Sequence, residues 1–384
     1  MKQADTSAVQ SGHLWIATRE ELGRLVLEIE EKISRGEVTA CYLDTEADSL
    51  HHFQEKLCLI QLAVGGTFAL IDSLAIAEMT PLLAALDKIE VWIHGADYDL
   101  TLFKRTYAWT PRRVRDTQIA ARLVGHRHFG LASLIEKQFG VVLSKASQKA
   151  DWSQRPLPEK MLNYAVDDVR WLAPLVDQLR KELEEKNRWD WFVQSCDALC
   201  AGVLSRQERD REEAWRVSGS GSLKPKGLAF LRALWFWRDG MAQERDVPPF
   251  RVMNNQQMLA MATDFEVNDS VSISPRWRGR WRDTLMAVID ELRQSDPDTW
   301  PQRPRKHGKR STEEERSSID RLCRSRDQIA ERLDIEPSLL GPRAVMEEII
   351  LHREASIDSV LMPWQREALG EVLKTLPTVE QPIL

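Results

Sequence analysis

Residues 38–71 read VTACYLDTEADSLHHFQEKLCLIQLAVGGTFALI, and this stretch decides the fold of the first half of the chain. It holds three runs that are rich in β-forming residues, over residues 38–45, 57–64 and 67–71. Gly65 and Gly66 separate the last two runs, and such a pair predicts a tight hairpin. The stretch therefore predicts consecutive strands of one sheet.

Helices and strands alternate around this stretch. Upstream, Thr18 and Glu21 have the spacing of a capping box, and apolar residues follow at helical intervals. Downstream, the pattern predicts a helix over residues 78–87, a strand over 90–94, a helix over 97–107, a short strand at Val114 and a long helix over 159–186. Consecutive strands followed by alternating helices and strands indicate an α/β domain with a mixed sheet.

The chain is predicted to be helical beyond residue 205. A Gly/Ser stretch over residues 218–222 leads into one helical block, and a basic linker over residues 295–311 leads into a second. Both blocks contain an Arg-Asp pair, followed in one order by a small residue, proline and leucine: Arg238-Asp239 and Arg326-Asp327. Two copies of a small helical module account for this weak repeat. We therefore predict an α/β plus all-α protein.

Composition indicates a globular protein of the cytoplasm. The chain has 384 residues, of which 43% are hydrophobic and 29% charged, and its net charge is −6. No apolar run approaches the roughly 18–20 residues that span a bilayer, and residues 1–12 lack the pattern of a secretory signal. The five cysteines are scattered without a CxxC pair, which favours free thiols. We expect a cytoplasmic monomer without a membrane segment.

Two carboxylates stand at the end of the first predicted strand. Asp44 and Glu46 project to the same face, because strand side chains alternate. Adjacent carboxylates repel unless a cation lies between them, and Mg²⁺ and Mn²⁺ prefer carboxylate oxygens. Two solvated surface acids are the alternative, which this pair alone does not exclude.

Two later segments carry further acids. Asp99 follows the strand at residues 90–94, where α/β folds commonly build their sites, although Asp97 is the helix cap in an alternative interpretation. Tyr164 shares a helix face with Asp168, four residues on, and equally with Asp167, three residues on. A phenol beside a metal-binding carboxylate can orient a water. A packed tyrosine beside a solvated acidic pair is the alternative.

In this order, the three acidic segments resemble the motifs of the DEDD exonuclease superfamily in its tyrosine-bearing branch, and within it the ribonuclease D family. The resemblance extends over nearly all of residues 14–200, and the two helical blocks resemble HRDC modules. It rests on these motifs: Leu43-Asp44-Thr45-Glu46, Leu59-Ile60-Gln61-Leu62, His94-Gly95-Ala96-x-x-Asp99-Leu100, Asp116-Thr117-Gln118, Asp151-Trp152-x-x-Arg155-Pro156-Leu157 and Tyr164-Ala165-x-x-Asp168.

The resemblance implies a fold, a reaction and a site. The fold is a ribonuclease-H-like mixed-sheet exonuclease domain over residues 13–205, two HRDC-like helical domains over 206–294 and 312–384, and a basic linker over 295–311. The reaction is 3′→5′ hydrolysis of RNA to 5′-nucleoside monophosphates. Two divalent ions, Mg²⁺ or Mn²⁺, are held by four acids, and Tyr164 aligns the attacking water. The resemblance selects these four: Asp44, Glu46, Asp99 and Asp168.

Basic and aromatic residues suggest where RNA binds. Lys145, Lys149 and Arg155 flank Asp151-Trp152 and are candidates for phosphate contacts, although a solvated basic loop explains them equally well. Four arginines interleaved with tryptophan are further candidates: Arg276, Arg278, Arg280 and Arg282. Helical spacing places Trp235 and Trp237 in a core, and we expect a structural role for His94.

The family resemblance points to precursors of transfer RNA and other small structured RNAs as substrates. Two alternatives remain open. A DNA exonuclease of the same superfamily has the same metal chemistry, so the acids do not discriminate against it. A non-catalytic RNA-binding scaffold with an exonuclease fold is the second alternative, and the complete acidic motifs count against it.

Overall fold

The computed structural model describes residues 12–207, 210–274, 277–303, 311–351 and 357–374, and these divide into two compact units. Unit 1 comprises the described residues of 1–47, 57–206 and 310–384, and unit 2 those of 48–56 and 207–309. The strands are β1 (Leu14–Ile16), β2 (Ala40–Ala47), β3 (Leu57–Val64), β4 (Thr67–Ile71), β5 (Glu90–Ile93) and β6 (Val114–Asp116).

Helices make up most of the remaining described chain. Those of the first 205 residues are α1 (Arg19–Ser34), α2 (Thr80–Leu86), α3 (Asp97–Tyr107), α4 (Thr117–Leu123), α5 (Leu131–Phe139), α6 (Glu159–Arg170), α7 (Leu172–Glu185) and α8 (Trp189–Ser205). The later ones are α9 (Pro225–Glu244), α10 (Pro249–Val252), α11 (Asn255–Asn268), α12 (Arg280–Gln294), α13 (Glu313–Arg332), α14 (Arg343–Leu351), α15 (Ile357–Val360) and α16 (Pro363–Lys374). None of the described helices combines the length and the apolar character that crossing a membrane requires.

The predicted mixed sheet is confirmed. Its strand order is β1-β4-β3-β2-β5-β6, in which β3 is antiparallel to its neighbours β2 and β4 and the other adjacent pairs are parallel. Gly65 and Gly66 turn the chain between β3 and β4 with φ values of 53° and 81°, which only glycine adopts readily. Strand β1 was not predicted, because three residues are too few to show a period.

The long helix predicted over residues 159–186 is two helices. Helix α6 ends at Arg170, and α7 begins at Leu172. Pro174 explains the break, because a proline removes one backbone donor and its ring collides with the carbonyl four residues earlier, which here belongs to Arg170. The break leaves α6 free to pack across the sheet independently of α7.

Helices cover both faces of the sheet. On one face α1, α2 and α3 contribute to an apolar cluster with residues such as Leu25, Leu83 and Phe103. On the other face α6 packs on β3 and β4, with Leu59 and Leu70 against Ala165. All eight residues of β3 are consequently buried, which explains its nearly continuous apolar sequence.

The second helical block shares a hydrophobic core with α4, α7 and α8 of unit 1. Residues of α13 to α16 lie in one buried cluster with residues of α4, α7 and α8. The Trp364 ring stacks on Trp191 at 4.8 Å between centroids. The buried Arg188 guanidinium donates to the carbonyls of Leu123 and Leu333 at 2.5 and 2.6 Å. The domain limits drawn at 205, 294 and 311 stay predictions, but the described residues of 312–374 pack as part of unit 1.

Unit 2 is a small helical assembly around α9. Phe230 of α9 stacks on Phe265 of α11 at 4.4 Å, and Trp237 is buried, as predicted. Trp235 packs half-buried against the same core. Residues 48–56, which join β2 to β3 in sequence, belong to this unit, where the backbone N–H of Phe53 donates to Asp246 at 3.1 Å.

Arg155 has a structural role, which corrects the expectation that it contacts substrate phosphate. Its side chain donates twice to the buried Asp72 carboxylate, at 2.6 and 2.7 Å. Its other three N–H groups donate to the carbonyls of Cys58, Trp152 and Gln154, each at 2.8 Å. All five guanidinium donors are thus used inside the protein, where they tie the loop before α6 to the sheet.

We predict that Arg155→Met lowers the free energy of unfolding by about 3–5 kcal/mol, because it leaves the Asp72 carboxylate buried without a counter-charge. Urea denaturation followed by circular dichroism measures this change. Arg24→Met is the control, since the ion pair of Arg24 with Glu20 is largely exposed and should contribute less than about 1 kcal/mol. Equal stability of the two variants would contradict the structural role of Arg155.

Candidate active site

Strand β2 and helix α6 bring three carboxylates together. Asp44 and Glu46 project from the same face of β2, over which α6 carries Asp168. One oxygen of each of these side chains lies within 4.8 Å of the others. Asp167, the alternative to Asp168, is directed elsewhere and pairs with Arg170 at 3.2 Å.

The fourth acid, Asp99, lies in the first turn of α3. It is 5% exposed and accepts a hydrogen bond of 2.5 Å from the hydroxyl of Thr45, the residue between Asp44 and Glu46. Asp97 instead forms an exposed pair with Arg206 at 2.6 Å. The structure therefore brings Asp99, and not Asp97, to the strand that carries the other acids.

A further carboxylate, Asp116, fixes the turn that leads into α3. It accepts hydrogen bonds from the backbone N–H groups of Gly95 and Ala96, each at 2.9 Å, and of Gln118 at 2.7 Å. Gly95 has a φ of 73°, and a side chain there would meet the Gln118 amide at 3.3 Å. The sequence motif around Asp116 carried no assigned role, because a backbone contact leaves no signature in spacing.

Tyr164 lies on α6 one helical turn before Asp168, and its hydroxyl lowers the pKa of the Asp168 carboxyl, against the larger effect of burial. Its ring packs against the buried Trp152 at 6.0 Å between centroids. Burial and the neighbouring acids Asp168 and Glu46 raise the pKa of Tyr164, so the hydroxyl keeps its proton at neutral pH. It is therefore available as a hydrogen-bond donor in the site.

The carboxylates of the cluster are buried from water and lie close to one another, and both conditions affect their pKa values. Burial, and then the charge of Asp168, raises the pKa of Asp44 well above its usual range. Burial and the charges of Asp44 and Asp168 raise the pKa of Glu46 to about 10. Burial also raises the pKa of Asp168 to about 7. These shifts show that ionising the cluster without a cation is unfavourable.

The donor set fits hard divalent cations. It consists of carboxylate oxygens, the ligands that Mg²⁺ and Mn²⁺ prefer, and the three closest oxygens are near enough to share an ion. A bound cation would replace the protons that the raised pKa values otherwise retain. The chemistry of the residues present thus agrees with a divalent metal centre.

Asp44, Glu46 and Asp168 line a cavity of about 480 Å³, whereas Asp99 is not part of its described lining. Lys145 also lines this cavity and can meet a phosphate there, whereas Lys149, among the described residues, does not line it. His94 lies on the wall, where its Nδ1 is 2.9 Å from the Thr117 hydroxyl. Burial lowers the pKa of His94, so it is neutral at pH 7. The structural role expected for His94 stays a prediction.

The predicted arginines of unit 2 differ in their surroundings. Arg278 and Arg282 line a separate cavity of about 670 Å³ with the buried Trp277. Arg280 pairs with Glu244 at 2.7 Å. Arg276 and the basic residues of the linker after Arg303 lie outside the described residues.

Comparison with known proteins identifies the family. A family model described as "3'-5' exonuclease" matches residues 14–184, and one described as "HRDC domain" matches residues 227–270. The chain is 32% identical to ribonuclease D of Escherichia coli over 68% of this chain and 72% of that protein. It is 30% identical to ribonuclease D of Haemophilus influenzae over 81% of this chain and 79% of that protein.

The fold agrees with these sequence relationships. The crystal structure of Escherichia coli RNase D, described as an exoribonuclease involved in structured RNA processing, superposes with a TM-score of 0.70 at 26% identity. The superposition covers 94% of this chain and 97% of that one. The mixed sheet and the helical blocks therefore occur together in a known enzyme architecture. The chain belongs to the ribonuclease D family and is a 3′→5′ exoribonuclease.

Proposed function

We propose that this exoribonuclease releases 5′-nucleoside monophosphates one at a time from the 3′ ends of structured RNAs, transfer-RNA precursors among them. We propose further that Asp44, Glu46, Asp99 and Asp168 hold two divalent ions, Mg²⁺ or Mn²⁺, for this reaction. The observation that carries the proposal is the convergence of Asp44, Glu46 and Asp168 from β2 and α6 on one cavity. Asp99 of α3 is hydrogen-bonded to Thr45, the residue between two of these acids. Carboxylates this close require positive charge, and the described cavity lining supplies a single amine, that of Lys145.

Each group has a distinct role in this scheme. When bound, a pair of divalent ions lowers the pKa of a water and offsets charge on the attacking and leaving oxygens. Tyr164 directs its protonated hydroxyl into the cavity and orients the attacking water by a hydrogen bond. Asp168 holds that hydroxyl in place, while Trp152 restricts the tyrosine ring. Thr45 holds Asp99 against the strand that carries the other ligands.

Basic residues are proposed to guide the RNA. Lys145 lies at the cavity and is suited to neutralise a phosphate near the scissile bond. We retain Lys149 and the arginines 276, 278, 280 and 282 as proposed contacts to RNA outside the active site. Arg278 and Arg282 are the best supported of these, because both are exposed beside Trp277.

Substrate and cellular location are proposed on separate grounds. The structured RNAs on which the Escherichia coli relative is described to act support transfer-RNA precursors and similar RNAs as substrates. The five cysteines, all among the described residues, are free thiols, which supports the proposal of a cytoplasmic location. We propose that the protein acts as a monomer.

Incubation with a 3′-extended transfer RNA tests the proposed substrate. We expect stepwise shortening from the 3′ end in Mg²⁺, with nucleoside 5′-monophosphates as products, and no shortening in EDTA, because the carboxylates alone cannot activate a water. Gel electrophoresis measures the length of the shortened RNA, and chromatography identifies the released nucleotides. A DNA oligonucleotide of matched sequence is the control, and faster hydrolysis of the DNA would contradict the RNA specificity.

We predict that Asp44→Asn abolishes hydrolysis and leaves RNA affinity within about threefold, because the change removes a metal ligand without altering the shape of the site. Single-turnover assays and filter binding measure the two quantities. Asp167→Asn is the matched control: Asp167 is adjacent to Asp168 but pairs with Arg170, and its loss should leave the rate unchanged. Wild-type turnover by Asp44→Asn would exclude Asp44 from catalysis.

We predict that Tyr164→Phe slows hydrolysis by about 10²-fold, the typical contribution of one positioned proton-handling group. The packing against Trp152 should survive, so the melting temperature should change little. Tyr107→Phe is the control, because the Tyr107 hydroxyl is buried without a hydrogen-bond partner among the described residues and does not line the cavity. An equal rate for wild type and Tyr164→Phe would remove the hydroxyl from the mechanism.

A further inference from the structure

Gln61 is the polar exception in strand β3. It is fully buried, at 0% exposure, and its side-chain oxygen and nitrogen both have no hydrogen-bond partner within the described chain. Its neighbours in the strand are apolar, from Leu57 to Val64. A buried amide without hydrogen-bond partners makes the folded protein less stable than an aliphatic side chain of the same size would. Packing of the sheet therefore gives no reason for a glutamine at this position.

The strand register places this amide beside the active site. Gln61 lies directly opposite Asp44 in the antiparallel β2–β3 pair. Side chains of directly opposite residues lie on the same face, with Cβ atoms roughly 4.5–5.5 Å apart. Gln61 and Asp44 thus share the face of the sheet that α6 covers.

The neighbours of Gln61 along β3 show which part of α6 lies over it. Two residues before it, Leu59 packs in a cluster with Ala165, and two residues after it, Ala63 packs with Val169. The amide therefore lies beneath the turn of α6 that carries Asp168.

We propose that Gln61 is a positioning residue for the metal centre, whose side-chain amide donates a hydrogen bond to the Asp44 carboxylate when that carboxylate binds a cation. The inference rests on the proposed metal site. A carboxylate ligand needs a fixed orientation, and hydrogen-bond donors behind it supply that orientation. Gln61 offers unsatisfied N–H donors on the same face of the sheet as Asp44.

Gln61→Met tests this role, because methionine keeps the length and burial of the side chain but has no amide. We expect its affinity for Mn²⁺, measured by calorimetry without RNA, to fall by about 10–100-fold. We expect its melting temperature in EDTA to rise, because the change removes an unsatisfied buried amide. An ordinary structural glutamine would show the opposite, a lower melting temperature with unchanged metal affinity.

Gln365→Met is the matched control. Gln365 is also buried in unit 1, but its amide donates to the Leu339 carbonyl at 2.7 Å and accepts from the Met362 N–H at 2.8 Å. Its replacement should lower the melting temperature equally in EDTA and in Mn²⁺ and leave the affinity for Mn²⁺ unchanged. A loss of affinity in this variant would show that any buried glutamine affects the site, which would overturn the inference.

The outcomes separate the two proposals. If the wild-type protein does not bind Mn²⁺, the proposed metal site fails. If the wild type binds Mn²⁺ and Gln61→Met binds it equally well, or melts lower in EDTA, only the role of Gln61 fails. In an Asp44→Asn background Gln61→Met should have no further effect on residual Mn²⁺ affinity, and fully additive effects would also overturn the role.

Discussion

The mutual repulsion of buried carboxylates is the constraint on which the site depends. The hydrophobic contact between α6 and the β2–β3–β4 part of the sheet holds Asp168 over Asp44 and Glu46, at a distance that charged groups would not choose alone. Apolar burial, which contributes roughly 25 cal/mol per Å², supplies the free energy that holds these charges together. Burial, and then the charges of Asp44 and Asp168, raise the pKa of Glu46 to about 10. A bound cation would offset the repulsion between the carboxylates. The packing of the fold therefore creates a site that is suited to divalent ions.

Residues that touch no substrate maintain this arrangement. Asp116 fixes the turn that begins α3, and Thr45 connects that helix to β2 through Asp99. Arg155 uses every guanidinium donor to hold the loop before α6 against the sheet. Residues of α13 to α16 support α4, α7 and α8 through a shared core. The hydrophobic core beneath α4, α7 and α8 therefore extends beyond the domain that carries the acids, because α13 to α16 contribute residues to it.

The sequence predicted those features that depend on local pattern. Alternation and turn chemistry predicted β2 to β6, and the capping box at Thr18 predicted α1, because these signals lie within a few residues of one another. Spacing could not choose between Asp97 and Asp99 or between Asp167 and Asp168, and only the family resemblance did so. The break before α7 was missed although Pro174 indicates it. The hydrogen bonds of Arg155 and the lack of partners for the Gln61 amide within the described chain depend on how distant segments pack. A local sequence pattern does not predict them.

Anomalous diffraction from crystals of the protein grown in Mn²⁺ tests the central claim most directly. If the buried acids exist to hold a pair of cations, two manganese peaks should lie within the cavity, with Asp44 in contact with both and Glu46, Asp99 and Asp168 around them. Absence of manganese from this cavity at saturating concentration, or peaks bound only by other residues, would contradict the account.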